Sequence, residues 1–162
     1  FELAHKDLFQ SLESISDMVF IDTESRGNAS SVQILEEVDL VVVNIDQDKE
    51  DWDDYFENYA SMLEKSVFLI GRYEKENPFN LELIQRQYHI PRGKMAVIPY
   101  NIDLHIAANE GRMIPFLNRN YLKSSRAENE YLMGEVKRAV IMLKENMTYL
   151  GKPDMMRRFG KN

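Results

Sequence analysis

The sequence predicts an α/β fold in which a parallel β-sheet carries helices on both of its faces. Short, continuously apolar runs alternate with amphipathic stretches whose apolar residues recur at helical spacing. Successive runs start roughly 20 to 30 residues apart, the length that a right-handed strand–helix–strand crossover between parallel strands requires. Both observations favour parallel strands joined by helices.

Four apolar runs are the predicted strands, at residues 18–21, 39–45, 66–73 and 94–99. Each run ends in polar or conformationally special residues. These are Asp22 and Thr23, residues 44–46, Arg72 and Tyr73, and the run Pro99, Tyr100 and Asn101. Because the carboxyl ends of parallel strands lie along one edge of a sheet, we expect these residues to converge on a ligand site. A simpler alternative for Asp22 is a turn former or helix cap.

The predicted helices lie before and between these strands, and the longest follows them. They cover residues 2–15, a short stretch from Ser30 or Ser31, a stretch after residues 46–54, residues 81–88, residues 102–110 and residues 127–147. Asn101 is the expected amino-terminal cap of the fifth helix, and Gly111 is expected just beyond its carboxyl end. Residues 113–121 are expected to be irregular. The longest helix should bury one stripe: Leu132, Val136, Val140, Leu143 and Met147.

An aromatic stripe follows the second predicted strand, with members spaced three or four residues apart. It consists of Trp52, Tyr55, Phe56, Tyr59, Met62 and Leu63. Such a stripe could be a partner surface, but more often it is the helix face that packs on a sheet. We therefore expect it to belong to the core.

Composition limits the classes of function. The 162 residues are 44% hydrophobic, which suits one domain, assigned to residues 1–150. The net charge of -7 does not favour direct, sequence-specific nucleic-acid binding. Cysteine is absent, which excludes disulfides and thiolate metal sites and is compatible with a cytoplasmic location. The three histidines are scattered, so we expect them to be structural or solvated.

The tail, residues 151–162, mixes four cationic residues with Met155, Met156 and Phe159. A solvated chain end is the first expectation for this segment. The alternative is an amphipathic anchor that lies on a membrane surface, because apolar and cationic residues are mixed in this segment.

Two series of residues resemble the ParA/MinD-type deviant-Walker ATPases. The first is Val19-Phe-Ile-Asp-Thr23, a loop with a glycine, and Leu35-Glu-Glu-Val-Asp-Leu-Val-Val-Val43. The second is Val97-Ile-Pro-Tyr-Asn101 followed by Ala107-Ala-Asn-Glu-Gly111. The order and spacing match the family's middle and later segments, and the pilus-assembly branch of the TadZ/CpaE type is similar as well. The resemblance implies a P-loop NTPase-like fold that binds ATP and Mg²⁺.

The resemblance also implies roles for individual residues. Asp22 would end the Walker B strand and contact Mg²⁺ through water or orient the attacking water, with Thr23 beginning a switch loop. The adenine would lie among five residues: Arg72, Tyr73, Pro99, Tyr100 and Asn101. The family further implies a homodimer that positions DNA or a cell-envelope or pilus machine from the cytoplasm.

The chain departs from the family in its phosphate-binding loop. G-x-x-x-x-G-K-[ST] occurs nowhere in it, since Gly93 and Lys94 have Tyr88 in place of the first glycine and Met95 after the lysine. We therefore expect a carboxyl-terminal part of a longer protein, whose amino-terminal half supplies that loop, and no ATP hydrolysis by this chain alone. The alternatives are a non-catalytic scaffold of the same fold and a receiver-like or flavodoxin-like protein-binding domain.

Overall fold

The computed structural model describes residues 11–12, 14–16, 18–23, 29–122 and 126–149. Of the helix predicted at residues 2–15, the described residues 11, 12, 14 and 15 are helical. The basic tail at residues 151–162 lies outside the described ranges. The helices are α1 (Ala29–Glu37), α2 (Lys49–Asn58), α3 (Leu81–Tyr88), α4 (Ile102–Asn109), α5 (Met113–Leu122) and α6 (Ala127–Tyr149), and the strands are β1 (Val41–Ile45), β2 (Ser66–Tyr73) and β3 (Met95–Pro99).

The three strands form one parallel sheet in the order β1-β2-β3. Val43 of β1 pairs with Phe68 of β2, and Phe68 pairs with Met95 of β3. The second, third and fourth predicted strands are therefore confirmed, as is their parallel arrangement. Valine and isoleucine dominate these runs because branched side chains pack well on a pleated surface.

The prediction of a strand at residues 18–21 is wrong. These residues are described, but they form neither strand nor helix, and the side chain of Phe20 is 84% exposed. An apolar run supplies suitable side chains, whereas a strand also needs a neighbour that accepts its backbone hydrogen bonds. Within the described ranges β1 pairs with β2 alone. Asp22 and Thr23 consequently do not stand at the end of a strand.

One face of the sheet, here called the aromatic face, carries α2 and α3. Trp52 of α2 is fully buried, and its ring stacks on Phe68 at 5.2 Å and on Tyr88 of α3 at 5.5 Å between centroids. Tyr55 and Phe56 pack against the same cluster. The predicted packing of the aromatic stripe on the sheet is confirmed, although α2 ends at Asn58 and Met62 lies in a following 3-10 helix, Ala60–Lys65.

The opposite face of the sheet, here called the α6 face, carries α6. Ala139 and Met142 pack against Val67 of β2 and Ala96 of β3. Helices therefore cover both faces, as predicted. The predicted stripe on α6 is wrong at Val140, which is exposed, whereas Met133, Ala139 and Met142 are buried. The buried face of α6 thus includes alanine and methionine, which a search for large aliphatic residues at helical spacing misses.

Residues 113–121, expected to be irregular, lie in α5 instead. Pro115 stands in the first turn of that helix, where the missing amide hydrogen costs little. Phe116 and Asn120, one turn apart, are buried, and Phe116 packs on Ala107 and Leu132. None of the helices in the described ranges combines the length and the apolar character that crossing a bilayer requires.

Candidate functional site

The ends of β2 and β3 bring together the five residues assigned to adenine binding. Tyr73 pairs with Pro99 across the sheet, and the Tyr100 amide donates a hydrogen bond to the Tyr73 carbonyl at 3.1 Å. Arg72 precedes Tyr73, and Asn101 follows Tyr100. The predicted convergence of strand ends is confirmed for β2 and β3.

Asp46, directly after β1, joins the same edge. Its carboxylate forms an ion pair with the Arg72 guanidinium, and its carbonyl accepts a hydrogen bond from Trp52 Nε1 at 2.9 Å. The hydrogen bond and charge of Asp46 raise the pKa of Arg72 above its usual value. A Cβ on Gly71 would lie 3.0 Å from Asp46 Oδ1, so the glycine permits this close approach.

The backbone of Arg72 is strained. Its φ is 45°, in the left-handed region that side chains other than glycine avoid, and this conformation costs on the order of 1 kcal/mol. The β2–β3 register also shifts between Ile70 and Tyr73. The chain therefore turns at Arg72 and directs its exposed guanidinium towards Asp46 rather than along the strand.

Gln47 connects the loop that follows β1 with the loop that follows β2. Gln47 Nε2 donates to the carbonyls of Glu74 and Phe79 at 3.1 and 3.0 Å, and Gln47 Oε1 accepts from the Glu74 amide at 2.7 Å. One side chain thereby satisfies three backbone groups of the β2–α3 loop. The sequence does not reveal this role, since the partners lie far from Gln47 along the chain.

The Asn101 side chain is turned inward. Its Oδ1 accepts from the Leu104 amide at 2.8 Å, which confirms the predicted cap of α4, and its Nδ2 donates to Asn129 Oδ1 at 2.9 Å. Asn129 in turn donates to Asp103, which binds Arg126 through both carboxylate oxygens at 2.9 Å. Both polar atoms of the Asn101 side chain thus have hydrogen-bond partners within the fold.

Tyr100 presents its ring to solvent, with 52% of the residue exposed. Its amide is already bonded to Tyr73, so a bound base could use the ring face and the backbone carbonyl of Tyr100 but not its amide. Aromatic rings are stacking surfaces for any nucleobase. The arrangement therefore suits stacking better than recognition of the edge of a base by the Tyr100 amide.

Two residues at this edge were not predicted from the sequence. The Lys75 ammonium lies 4.0 Å from the ring centroid of Tyr131, a cation–π contact between the β2–α3 loop and α6. Burial, followed by the negative charge of Glu135, raises the pKa of Tyr131. Tyr131 reaches the edge because α6 begins beside Asn101, a contact between distant segments that no local pattern signals.

The residues predicted to contact Mg²⁺ and to begin the switch loop are Asp22 and Thr23. Asp22 is exposed and Thr23 is half-buried. No hydrogen bond or ion pair within the described ranges joins them to the strand ends. Those ranges also contain no group of three or more His, Asp or Glu side chains placed to hold a metal ion.

The acids after β1 have structural partners. Asp46 binds Arg72, and Asp48 caps α2 by accepting from the Glu50 amide at 2.9 Å. A receiver-like domain would need paired acids free to bind a cation. The hydrogen bonds therefore do not favour the receiver-like alternative.

Comparison with known proteins leaves the family open. Neither a protein-family model, nor a curated protein, nor a solved structure matches this chain. The three-stranded parallel sheet with helices on both faces establishes an α/β fold. The ParA/MinD resemblance remains a prediction from the sequence motifs.

Proposed function

We propose that this chain is the carboxyl-terminal part of a ParA/MinD-like ATPase that binds ATP at the carboxyl edge of β2 and β3. The observation that carries the proposal is the junction of Tyr73, Pro99 and Tyr100, with the Tyr100 ring exposed beside it. Open α/β sheets bind ligands at this edge, and an exposed aromatic ring there offers a face for a nucleobase.

In this proposal the chain supplies the base-binding half of a nucleotide site. Tyr100 stacks on the adenine, and Arg72 lies at the neighbouring strand end, where its guanidinium can exchange Asp46 for a phosphate or ribose oxygen. The phosphate-binding loop comes from an amino-terminal half of the full protein. Asp22 contributes to Mg²⁺ through water, while the phosphates and waters supply the ion's direct ligands.

The biological role that follows is nucleotide-dependent dimerisation in the cytoplasm. ATP held between the two halves would favour a homodimer that partitions DNA or positions a cell-envelope or pilus machine at the inner membrane. The cargo is a separate protein or DNA complex, since a net charge of -7 does not favour sequence-specific reading of nucleic acid by this chain.

A non-catalytic scaffold of the same fold is the second candidate. It is favoured by the position of Asp22, which no described contact joins to Asp46, Arg72 or Tyr100. Such a module would bind nucleotide without turnover. Multiple-turnover assays of the full-length protein with Mg²⁺-ATP separate the two candidates, and equal turnover by an Asp22→Ala variant would remove Asp22 from the site.

The binding test uses a fluorescent ATP analogue and two matched tyrosines. Tyr100 and Tyr121 are equally exposed, at 52% and 53%, but Tyr121 lies on α5. We expect Tyr100→Ala to weaken binding about fivefold or more, because stacking contributes roughly 1–3 kcal/mol per base, and Tyr121→Ala to leave it unchanged. Equal effects of the two substitutions, or competition by inorganic triphosphate as strong as that by ATP, would contradict base recognition at Tyr100.

A further inference from the structure

The guanidinium of Arg72 already holds an anionic group, the carboxylate of Asp46. Asp46 directly follows β1, and Arg72 precedes Tyr73, whose carbonyl accepts a hydrogen bond from the Tyr100 amide. The Arg72 side chain is 77% exposed and the Asp46 side chain is 36% exposed, so solvent reaches both groups. An anionic ligand that approaches this edge of the sheet therefore meets an arginine that is already paired.

The Asp46 carboxylate opposes an anionic ligand in two ways. It accepts a hydrogen bond from Nη2 of Arg72, and so occupies one of the groups that would bind a phosphate oxygen. The guanidinium has further N–H groups, but a ligand bound to them would lie beside the negative charge of the carboxylate. Both effects lower the affinity of Arg72 for an anion while Asp46 is in place.

Gly71 lets the carboxylate lie against the end of β2. A Cβ at this position would come within 3.0 Å of Asp46 Oδ1, while Oδ2 of the same carboxylate binds Arg72. Glycine is the residue that permits a side chain or a ligand to approach the backbone closely. The carboxylate thus covers backbone that is open to a ligand once the carboxylate has turned away.

The backbone of Asp46 is held independently of its carboxylate. Its carbonyl accepts a hydrogen bond from Trp52 Nε1 at 2.9 Å. The next residue, Gln47, bonds both the amide and the carbonyl of Glu74, and Asp48 caps α2. Release of Arg72 therefore needs only a rotation of the Asp46 side chain, which is a fast motion for an exposed residue.

The backbone of Arg72 is fixed as well. Its φ of 45° and the shift in register between Ile70 and Tyr73 turn β2 aside at this residue. Tyr73 pairs with Pro99 directly afterwards, so the turn is held from both sides. The segment that carries the guanidinium consequently keeps its place when Asp46 releases it.

We propose that Asp46 is an internal competitor for Arg72, which lowers the affinity of this edge for anionic ligands and is displaced when a phosphate group binds. An exposed ion pair contributes little to stability, so a phosphate with several acceptor oxygens can replace the carboxylate. The affinity of such a ligand scales with the fraction of molecules in which Arg72 is free. The proposal rests on the proposed function only in placing a phosphate at Arg72, and it does not require base recognition at Tyr100.

Asp46 thereby distinguishes ligands by charge. A neutral ligand that stacks on Tyr100, such as adenosine, does not use Arg72, so its affinity is independent of Asp46. A ligand with phosphates must displace the carboxylate before it gains the contact with Arg72. Asp46 is therefore a specificity-determining residue that controls how much the phosphates add to binding.

Arginine modification tests the competition without a nucleobase. Phenylglyoxal modifies arginine side chains, and mass spectrometry of the Arg72 peptide gives the rate, with inorganic triphosphate as the protecting ligand. Asp46→Asn should raise the rate at Arg72 and lower the triphosphate concentration for half-protection, each by about threefold or more. Asp46→Ser, which also lacks the charge, should act in the same direction. Unchanged Trp52 fluorescence verifies that the variants are folded.

Glu74→Gln is the matched control for a general effect of charge. Glu74 is exposed and lies two residues after Arg72, and its bonds with Gln47 use backbone groups that glutamine retains. At about 0.15 M salt only charges within roughly 8 Å act strongly, so this variant should change half-protection by less than about 1.5-fold. An equal gain for Glu74→Gln and Asp46→Asn would overturn the proposal. Absence of protection by triphosphate in every variant would overturn it too.

The fluorescent ATP analogue supplies a second readout. Asp46→Asn should tighten its binding in the natural chain but not in an Arg72→Gln background, whereas competition by adenosine should be the same with and without the Asp46 carboxylate. A gain that persists without Arg72 would contradict the competition. If Tyr100→Ala leaves binding of the analogue unchanged while Asp46→Asn still improves protection by triphosphate, base recognition fails and the internal competitor stands.

Discussion

The Tyr88 hydroxyl donates a hydrogen bond to Asp53 Oδ1 at 2.7 Å and so links α3 to α2 across the top of the aromatic face. This hydrogen bond shifts the pKa values of Tyr88 and Asp53 in opposite directions. Burial, followed by the bond to Asp53, raises the pKa of Tyr88, while bonds from Lys49 and Tyr88 lower the pKa of Asp53. The two helices are therefore joined most strongly when Tyr88 is protonated and Asp53 is ionised.

Alkaline pH should weaken the fold through Tyr88. Since the folded-state pKa is raised, the stabilisation is complete below the pKa of free tyrosine, about 10, and is lost as the pH rises through the folded value. Between pH 8 and pH 11 the urea concentration at the midpoint of unfolding should therefore fall further for the natural chain than for Tyr88→Phe. Tyr121→Phe, at an exposed position, should behave as the natural chain does. A Tyr88→Phe variant with an unchanged pH dependence would contradict the assignment.

Trp52 should dominate the stability of the core. It is fully buried, it stacks on Phe68 and Tyr88, and its Nε1 bonds the Asp46 carbonyl. We expect Trp52→Ala to lower the free energy of unfolding by about 3–5 kcal/mol, and Trp52→Phe to cost less because it keeps most of the apolar contact.

Urea titration followed by circular dichroism measures this loss without relying on tryptophan fluorescence. Ile141→Ala, at a position 55% exposed, is the control and should change the free energy by less than about 0.5 kcal/mol. A Trp52→Ala variant as stable as the control would show that the aromatic cluster is not the centre of the core.

Two glycines should respond to alanine with opposite signs. A Cβ at Gly71 would crowd Asp46 Oδ1 at 3.0 Å and push the carboxylate from Arg72, for a cost of about 1 kcal/mol. Gly134 lies inside α6 with no atom near its added Cβ, so Gly134→Ala should stabilise the chain by about 0.5–1 kcal/mol. Thermal unfolding of the two variants side by side measures the difference, and equal signs would contradict the close approach at Gly71.

The Asn101–Asn129 pair should matter for stability more than for ligand binding. Asn101→Ala removes the cap of α4 and leaves the buried amide of Asn129 without that partner, for a loss of about 2–3 kcal/mol. Asn101→Asp keeps the capping oxygen and should lose less. Asn109→Ala, at the exposed end of α4, is the control in the same urea titrations. A loss for Asn101→Ala no larger than the control's would show that the buried pair is dispensable.

The sequence predicted those parts of the fold that local interactions decide. The runs that became β1, β2 and β3 are rich in branched residues and stop at residues that end strands, and the Asn101 cap depends on neighbours three residues away. The aromatic stripe identified its helix face because helical spacing alone places those residues on one side. These elements need no knowledge of distant partners.

The candidate site was predictable only in part. Parallel strands place their carboxyl ends on one edge, so the meeting of Arg72, Tyr73 and Tyr100 followed from topology. The roles of Gln47 and Tyr131 depend on contacts between distant segments, and the inward turn of Asn101 depends on Asn129. Such contacts leave no periodic trace in the sequence.

The sequence by itself determined the α/β class, three of the strands, the parallel arrangement and the core helix α2, because each follows from short-range pattern and from the length of the connections. Only the tertiary structure decided that residues 18–21 lie outside the sheet, that residues 113–121 form a helix, and that Asn101 faces inward. Those outcomes depend on whether a distant group accepts a hydrogen bond or covers an apolar surface, which the local sequence does not specify.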